Sequence, residues 1–290
     1  MTECDVAGIK GEGVMPKLGI DRISKLKRMQ TTLRLATCSE LRRDIFIALQ
    51  AGKKALRELR DELSVSSTTA IHALRELEKD NLIFQDGDRD YALTKIGGVI
   101  ALKLSDFVDA IDVLKKHEEF WLTHDLSGIP PHLLEKIGAL RGSSLLKIDA
   151  LQLPHDEFIN LLRQSTWVKG ISPIYFSDYA THLNELLKVH CDVQLILTAD
   201  VLNKFIDGIG LEDLKSGIAP GNLQISVTKE EVHIAFTVTD NFVSLGLFRL
   251  DGTYDLTVDL ISHERAAIDW GIKLFEYYQQ NVDKKVTDLF

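Results

Sequence analysis

Ser66-Ser67-Thr68-Thr69-Ala70-Ile71-His72-Ala73-Leu74-Arg75-Glu76-Leu77 decides how the N-terminal part of this chain is read. Ala70, Ala73, Leu74 and Leu77 recur at helical spacing and form one apolar face. Ser66 or Ser67 stands where an N-cap belongs, because a short side-chain oxygen there accepts from free backbone N–H groups. With the four apolar residues turned inward, Ser67, Thr68, Ile71, His72 and Arg75 point outward. Upstream, Leu41, Ile45, Ala48 and Leu49 make an apolar stripe, and Gly52 follows as a helix stop. Leu56, Leu59 and Leu63 make another, closed by a tight Val65-Ser66 link. Downstream, Leu82–Gln85 and Asp90–Thr94 read as strands around Asp86-Gly87, a two-residue hairpin signal.

Three helices and a hairpin in this order resemble the winged helix-turn-helix of prokaryotic transcription regulators. The resemblance implies that the third helix enters the major groove of double-stranded DNA. The expected contacts are Ser66, Ser67, Thr68, Thr69, Ile71, His72 and Arg75, with Arg89 and Tyr91 on the wing. Hydroxyls suit phosphates and base edges, Arg75 suits guanine or phosphate, and Ile71 suits a thymine methyl. Arg75 also reads as one member of a pair along its own helix, near Glu78 or Lys79, and His72 reads equally as a solvated side chain. Arg89 is flanked by Asp86, Asp88 and Asp90, so the wing should grip a minor groove weakly.

Charge is partitioned along the chain. Its net charge is -9, yet the segment from Ser24 to Lys95 carries +3, residues 1–23 carry -1 and residues 96–290 carry -11. An acidic remainder avoids DNA and leaves contact to the basic segment. Cys4, Cys38 and Cys191 are scattered, which argues against a disulfide framework or a metal site and for a reducing cytoplasm. No apolar run reaches the roughly 18 residues of a membrane span, and no secretory signal is visible. Neither a Gly-rich phosphate loop, a Cys/His metal cluster nor a nucleophile elbow is present, so no cofactor or metal is expected. His117, His124 and His132 fit no zinc spacing and read as surface residues.

The pattern divides the chain into an arm (1–23), the winged helix (24–95), a connecting helix and junction (96–130) and an α/β regulatory domain (131–290). Met15 and Met29 lie nearer the patterned sequence and are candidate translation starts; Lys25, Lys27 and Arg28 form a basic cluster before the first helix. Ile100, Leu104, Val108, Ile111 and Leu114 give Ile96–His117 an apolar stripe. Such a helix pairs with its twin in a homodimer or packs on its own chain. Beyond Pro131 strands and helices alternate: strands over Ser144–Ala150, Trp167–Phe176, Val193–Thr198, Leu223–Val227, Val232–Val238, Phe242–Phe248 and Thr257–Ile261. Helices are expected over Pro131–Leu140, Pro154–Gln164, Asp178–Val189, Ala199–Ile206 and Glu264–Gln280. Such alternation predicts an α/β sandwich.

Asp125-Leu126-Ser127-Gly128-Ile129-Pro130, Trp167-Val168-Lys169-Gly170-Ile171-Ser172-Pro173-Ile174 and Trp270-Gly271-Ile272-Lys273-Leu274-Phe275-Glu276-Tyr277-Tyr278 carry a further likeness, together with Leu195–Thr198 and Ala235–Asp240. With the N-terminal pattern, the chain resembles the archaeal methanogenesis-regulatory transcription factors. The resemblance implies an archaeal source and a regulatory role, without naming an effector. His233 through Asp240 has the H-x-K-x-x-x-x-D spacing of the phospholipase-D signature, with Ala235 where lysine belongs. A phospholipase-D-like fold that senses a ligand therefore stands beside the bland reading of an exposed His233 and a turn-starting Asp240. Strand ends favour ligands in α/β sheets, which makes Ser172, Tyr175, Thr198, His233 and Asp240 the pocket candidates. The expected function is a non-enzymatic, DNA-binding transcription regulator that forms homodimers and answers to a small-molecule effector or signalling partner. The alternatives are a winged-helix module for protein contact and a phospholipase-D-type enzyme with a degenerate motif.

Overall fold

A computed structural model describes residues 18–147, 155–175, 179–209, 221–229, 231–282 and 284–285. The expected arm up to residue 17, the strand end at 148–150, Pro154 and Phe176 lie outside these. The chain divides into two compact units, Met1–Ser105 and Asp106–Phe290.

The first unit runs α1 (Leu18–Thr37), α2 (Glu40–Ala48), β1 (Lys54–Ala55), α3 (Leu56–Glu62), α4 (Ser67–Lys79), β2 (Ile83–Gln85) and β3 (Asp90–Leu93). α1 corrects the expected arm: Leu18–Ile23 are helical, and Lys25, Lys27 and Arg28 lie inside this helix. Only Gly19 opposes the helix there, and one glycine costs about 1 kcal/mol. Ser39 caps α2, its Oγ accepting from Arg42 N at 3.4 Å, and Ile45, Phe46 and Leu49 are buried. The turn after α2 ends at Gly52, whose φ of +136° suits glycine. β1 was not expected, because two residues are too few for alternation to register. It pairs with β3, Lys54 opposite Tyr91, in a sheet of order β1-β3-β2.

The wing differs in its turn. Asp86 N donates to Asp90 O at 2.8 Å and Arg89 N to Asp86 O at 3.1 Å, so the loop is Gly87, Asp88 and Arg89. The left-handed residue is Arg89, φ +68°, and the expected two-residue Asp86-Gly87 turn is replaced. Asp86 Oδ1 explains this: it accepts from the backbone N–H of Asp88 and of Asp90, both at 2.9 Å, and so stabilises the longer loop.

α5 (Lys95–Lys116) crosses the division between the units. Its expected stripe is split. Leu104 is buried and Ile100 and Val108 are half-buried, whereas Ile111 and Leu114 are exposed.

The second unit contains α6 (Glu118–Thr123), α7 (Pro131–Leu134), β4 (Ser144–Lys147), α8 (His155–Arg163), β5 (Trp167–Ser172), α9 (Tyr179–Lys188), β6 (Asp192–Thr198) and α10 (Ala199–Ile209). β7 (Leu223–Thr228), β8 (Ile234–Thr239), β9 (Val243–Leu247), β10 (Val258–Ser262), α11 (Arg265–Gln280) and β11 (Lys284–Lys285) complete it. One sheet runs β11-β7-β6-β5-β8-β9-β10-β4. β5, β6 and β7 are parallel and the other pairings antiparallel. Each face has its own core. Phe236, Val238, Val243 and Leu245 pack with Trp270, Leu274 and Phe275 of α11 on one side. Ile159, Leu183, Leu186, Val193 and Phe205 pack on the other, under α8, α9 and α10.

Residues 118–130, expected as a junction, are part of this unit's core. Phe120, Trp121 and Ile129 are buried. Trp121 Nε1 donates to Val113 O at 3.0 Å, and the Tyr278 hydroxyl donates to Gly128 O at 2.6 Å. Large aromatics with a satisfied polar tip gain more from burial than a linker offers. Of the three histidines expected on the surface, His117 and His124 are buried. His117 Nε2 lies 3.1 Å from Ser143 O, and burial lowers its pKa. His124 bridges Phe120 O at 2.7 Å and Asp255 Oδ2 at 3.2 Å.

Candidate nucleic-acid interface and ligand cavity

α4 is built as its spacing dictates. Ser66 Oγ accepts from Thr69 N at 3.1 Å and fixes the first turn. Ala70, Ala73, Leu74 and Leu77 are buried. Ser67, Thr68, Thr69, His72 and Arg75 are exposed and Ile71 is half-buried. Ser66 and Thr69 also share a hydrogen bond between hydroxyls at 2.7 Å, so both are engaged in starting the helix. Glu76, beside Arg75, is paired with Arg42. Arg75 has no salt-bridge partner among the described residues, which leaves its guanidinium free toward solvent.

The wing carries a charge arrangement that the sequence concealed. Lys53 lies 3.0 Å from Asp86, 3.2 Å from Asp88 and 3.6 Å from Asp90. Hydrogen bonds that Lys53 donates to Asp86 and Asp88 push its pKa up, and Lys53 in turn holds Asp86 down. The three acids that flank Arg89 thus face a cation from before β1, while Arg89 itself is exposed. Tyr91 is a correction to the expected contacts: it is buried, and burial raises its pKa. Strand alternation turns its ring inward between more exposed neighbours.

In the second unit the pocket candidates do not converge. His233 and Asp240 flank opposite ends of β8. Their spacing, read along a strand, keeps them on the order of 20 Å apart. His233 Nδ1 lies 2.9 Å from Asp125 Oδ2 and Nε2 3.3 Å from Glu231 Oε1. Asp240 accepts from Thr166 N at 3.1 and 3.2 Å and from Thr166 Oγ1 at 2.7 Å, which makes it a brace between loops. Tyr175 stacks edge-on against Phe205 at 5.5 Å. Thr198 ends β6 opposite Thr228. Of the five, Ser172 lines the large cavity.

That cavity, about 330 Å³, lies against the middle of the sheet under α8 and α9. Its existence follows from the strand sequences. On this face β5, β8 and β9 carry Gly170, Ala235, Thr237, Ser244 and Gly246, all small, while the opposite face carries Ile171, Phe236, Val238, Val243 and Leu245. Small residues on a sheet floor leave space that neighbouring helices do not fill. Phe158, Leu162, Leu183, Leu186 and Leu195 supply apolar walls. A Cβ at Gly246 would stand 2.0 Å from the Tyr254 hydroxyl, so glycine is what lets Tyr254 and Asp259 fold over β9.

Two carboxyls line the cavity in different states. Asp255 is saturated: it accepts from Thr257 N at 2.8 Å, Thr257 Oγ1 at 2.6 Å and Arg249 Nε at 3.1 Å. Burial would raise it, but these bonds outweigh burial and hold its pKa at about 2. Among the described residues Asp259 accepts from neutral groups, Ser244 Oγ at 3.0 Å and the Tyr254 hydroxyl at 3.4 Å. Burial pushes its carboxyl above the usual range. The small-large alternation along β8 and β9 was the sequence signal for the cavity floor, and it does not extend to these two carboxyls.

A winged helix followed by a mixed α/β unit defines the class. The chain belongs to the family of the methanogenesis regulatory protein FilR1: its residues 30–112 match the N-terminal domain of that family and residues 151–281 the middle domain. It is 29% identical over 258 residues to the methanogenesis regulatory protein FilR1 of Methanothrix harundinacea (strain 6Ac), covering 87% of this chain. The chain spans 57% of that relative's length. Among solved structures, the archaeal chromatin protein TrmBL2 is similar at 13% identity and a TM-score of 0.40, over 88% of this chain and 98% of that one. The phosphatidylserine synthase of Haemophilus influenzae Rd KW20 follows at 15% identity and 0.36, over 49% and 39%.

Proposed function

We propose that this chain is an archaeal, DNA-binding transcription regulator that acts in the cytoplasm as a homodimer, with a second unit that senses an effector. The observation that carries this is the exposed face of α4: Ser67, Thr68, His72 and Arg75 stand outward over a buried Ala70, Ala73, Leu74 and Leu77. The helix is anchored on the side away from solvent and leaves unpaired donors on the side a major groove would meet. The name of the FilR1 relative, a methanogenesis regulatory protein, supports the regulatory role.

A phospholipase-D-like origin of the sandwich rests on the His233–Asp240 spacing. Catalysis at His233 is disfavoured because both ring nitrogens face carboxylates and Ala235 supplies no phosphate-binding charge. The reading is therefore a binding domain.

The test is DNA binding by wild type and Arg75→Ala over a salt series on a selected operator. Wild-type affinity should fall steeply with salt as counterions are released. Arg75→Ala should lose roughly 1–3 kcal/mol of sequence discrimination if the arginine reads a base. Unchanged affinity on every sequence would remove α4 as the reading element.

A further inference from the structure

Asp259 is a carboxyl on a cavity wall with no cationic partner among the described residues; its hydrogen bonds come from Ser244 and Tyr254. Asp255, the other carboxyl of the lining, is already matched by Arg249 at 2.9 Å and His124 at 3.2 Å. The remaining polar lining is neutral hydroxyl, Ser172 and Thr237, with His182 near the helices. His182 Nδ1 is buried without a hydrogen bond, its closest carboxylate being Glu185 Oε2 at 3.5 Å. Every other described residue that faces the space is apolar.

We propose that this cavity binds a small amphipathic amine, its apolar body between the sheet and α8–α9 and its ammonium on the Asp259 carboxylate. The inference rests on reading the second unit as a sensing domain and adds the site and the ligand class. Three features select this class. The volume of about 330 Å³ is at the lower end of small-molecule sites. Leucine and phenylalanine walls reward an aliphatic or aromatic body by removing it from water. A lone carboxyl at low dielectric attracts a cation and repels carboxylates and phosphates. An ammonium also replaces the missing partner, because a half-buried carboxylate on an apolar cavity wall is costly until it is matched. The small floor is needed for the fit: Ala235 and Gly170 leave the room that a larger side chain would occupy.

The experiment is calorimetric titration of the full chain, without DNA, with octylamine, octanol and octanoate. These share one apolar chain and differ in the head. Octylamine should bind tightest and octanoate weakest, the amine exceeding the alcohol by about tenfold or more, as a charge-assisted hydrogen bond allows. Asp259→Asn should remove that preference, bringing octylamine down to the affinity of octanol. Ala235→Phe, which fills the floor, should weaken octylamine and octanol alike while the chain stays folded by circular dichroism. Octanoate binding as well as octylamine, or an Asp259→Asn variant that keeps the amine preference, overturns the amine assignment. Loss of neither ligand in Ala235→Phe overturns the cavity as the site, and no binding of any probe overturns both. Because DNA is absent, these outcomes are independent of the operator titration with Arg75→Ala. A protein that binds octylamine but no operator would keep this proposal and remove the regulatory one.

Discussion

Asp259 and Asp255 show how far neighbouring residues on one wall can be driven apart. Asp255 has strong donors and is held at about 2; Asp259 has weak neutral donors and is raised by burial. The consequences for stability are opposite in sign. A carboxyl raised by folding favours the native state while it is protonated, below its unfolded value near ~4. That contribution is lost as pH rises through the folded value. Asp259→Asn, neutral at every pH, should therefore raise Tm at neutral pH, with the gain vanishing in acid. Asp255 is depressed, so its contribution exists above the unfolded value and disappears as pH falls toward about 2. Asp255→Asn should lower stability at neutral pH, on the order of 2 kcal/mol, because Arg249 loses its carboxylate partner. Thermal unfolding of both variants across pH checks the pair; an Asp259→Asn protein less stable at neutral pH would mean that its carboxylate is already matched. At this scale the sequence was only partly legible. Arg75 and His72 were readable because helical periodicity fixes which side faces out. Asp259 was not, since a carboxylate in a strand looks the same on paper whether its face meets water or a cavity. His233 and Asp240 misled because spacing along a strand says nothing about what each end meets.

Among elements, the start of α5 shows how tightly that helix is tied to the wing. Thr94 Oγ1 accepts from Gly97 N at 2.9 Å and donates to Asn81 O at 2.7 Å. The helix approaches so closely that a Cβ at Gly97 would stand 1.8 Å from Leu82 O. Backbone atoms cannot yield that distance without moving α5 or β2. Gly97→Ala should therefore destabilise the first unit by about 3 kcal/mol or more, despite the better helix propensity of alanine. Gly98→Ala meets nothing within 4 Å and is the control; it should be neutral or stabilising. Denaturant unfolding of the two variants decides, and equal stability would mean that the contact is not maintained. The elements themselves were the most legible level. Helices with long apolar stripes and most strands of the second sheet were predicted close to their ends, but β5 stops at Ser172 and β11 was not expected at all. β1 and the wing turn were not predicted either. Two residues carry no period, and Asp86 Oδ1 overrode the Asp-Gly signal through bonds that a sequence does not display.

For the whole molecule, assembly and charge are the remaining terms. The basic segment and the acidic remainder differ in sign, +3 against -11, so the anionic duplex of the proposed function would meet the basic part of the chain. Operators read by helix-turn-helix proteins are commonly two-fold symmetric, so a dimer matches its site in symmetry. The stripe expected to pair cannot do so along its whole length, since Leu104 is buried. The exposed apolar residues of α5 are Ile96, Val99, Leu102, Phe107, Ile111 and Leu114, with Phe107 at 59% and Ile111 at 46%. Apolar side chains grouped on one solvated helix are what an interface leaves behind when its partner is removed. Phe107 and Ile111 lie one helical turn apart and belong to the second unit, so they can be changed together without touching α4 or the cavity. Phe107→Glu with Ile111→Glu places like charges where two copies would meet. In multi-angle light scattering the wild type should have twice the chain mass of 32.6 kDa and the double variant that mass itself. Because both positions are exposed, the variant should keep the Tm of a folded second unit. Its DNA affinity should fall on a two-half-site operator and hold on a single half-site. A wild type that stays monomeric, or a double variant that still dimerises, removes α5 as the dimer element.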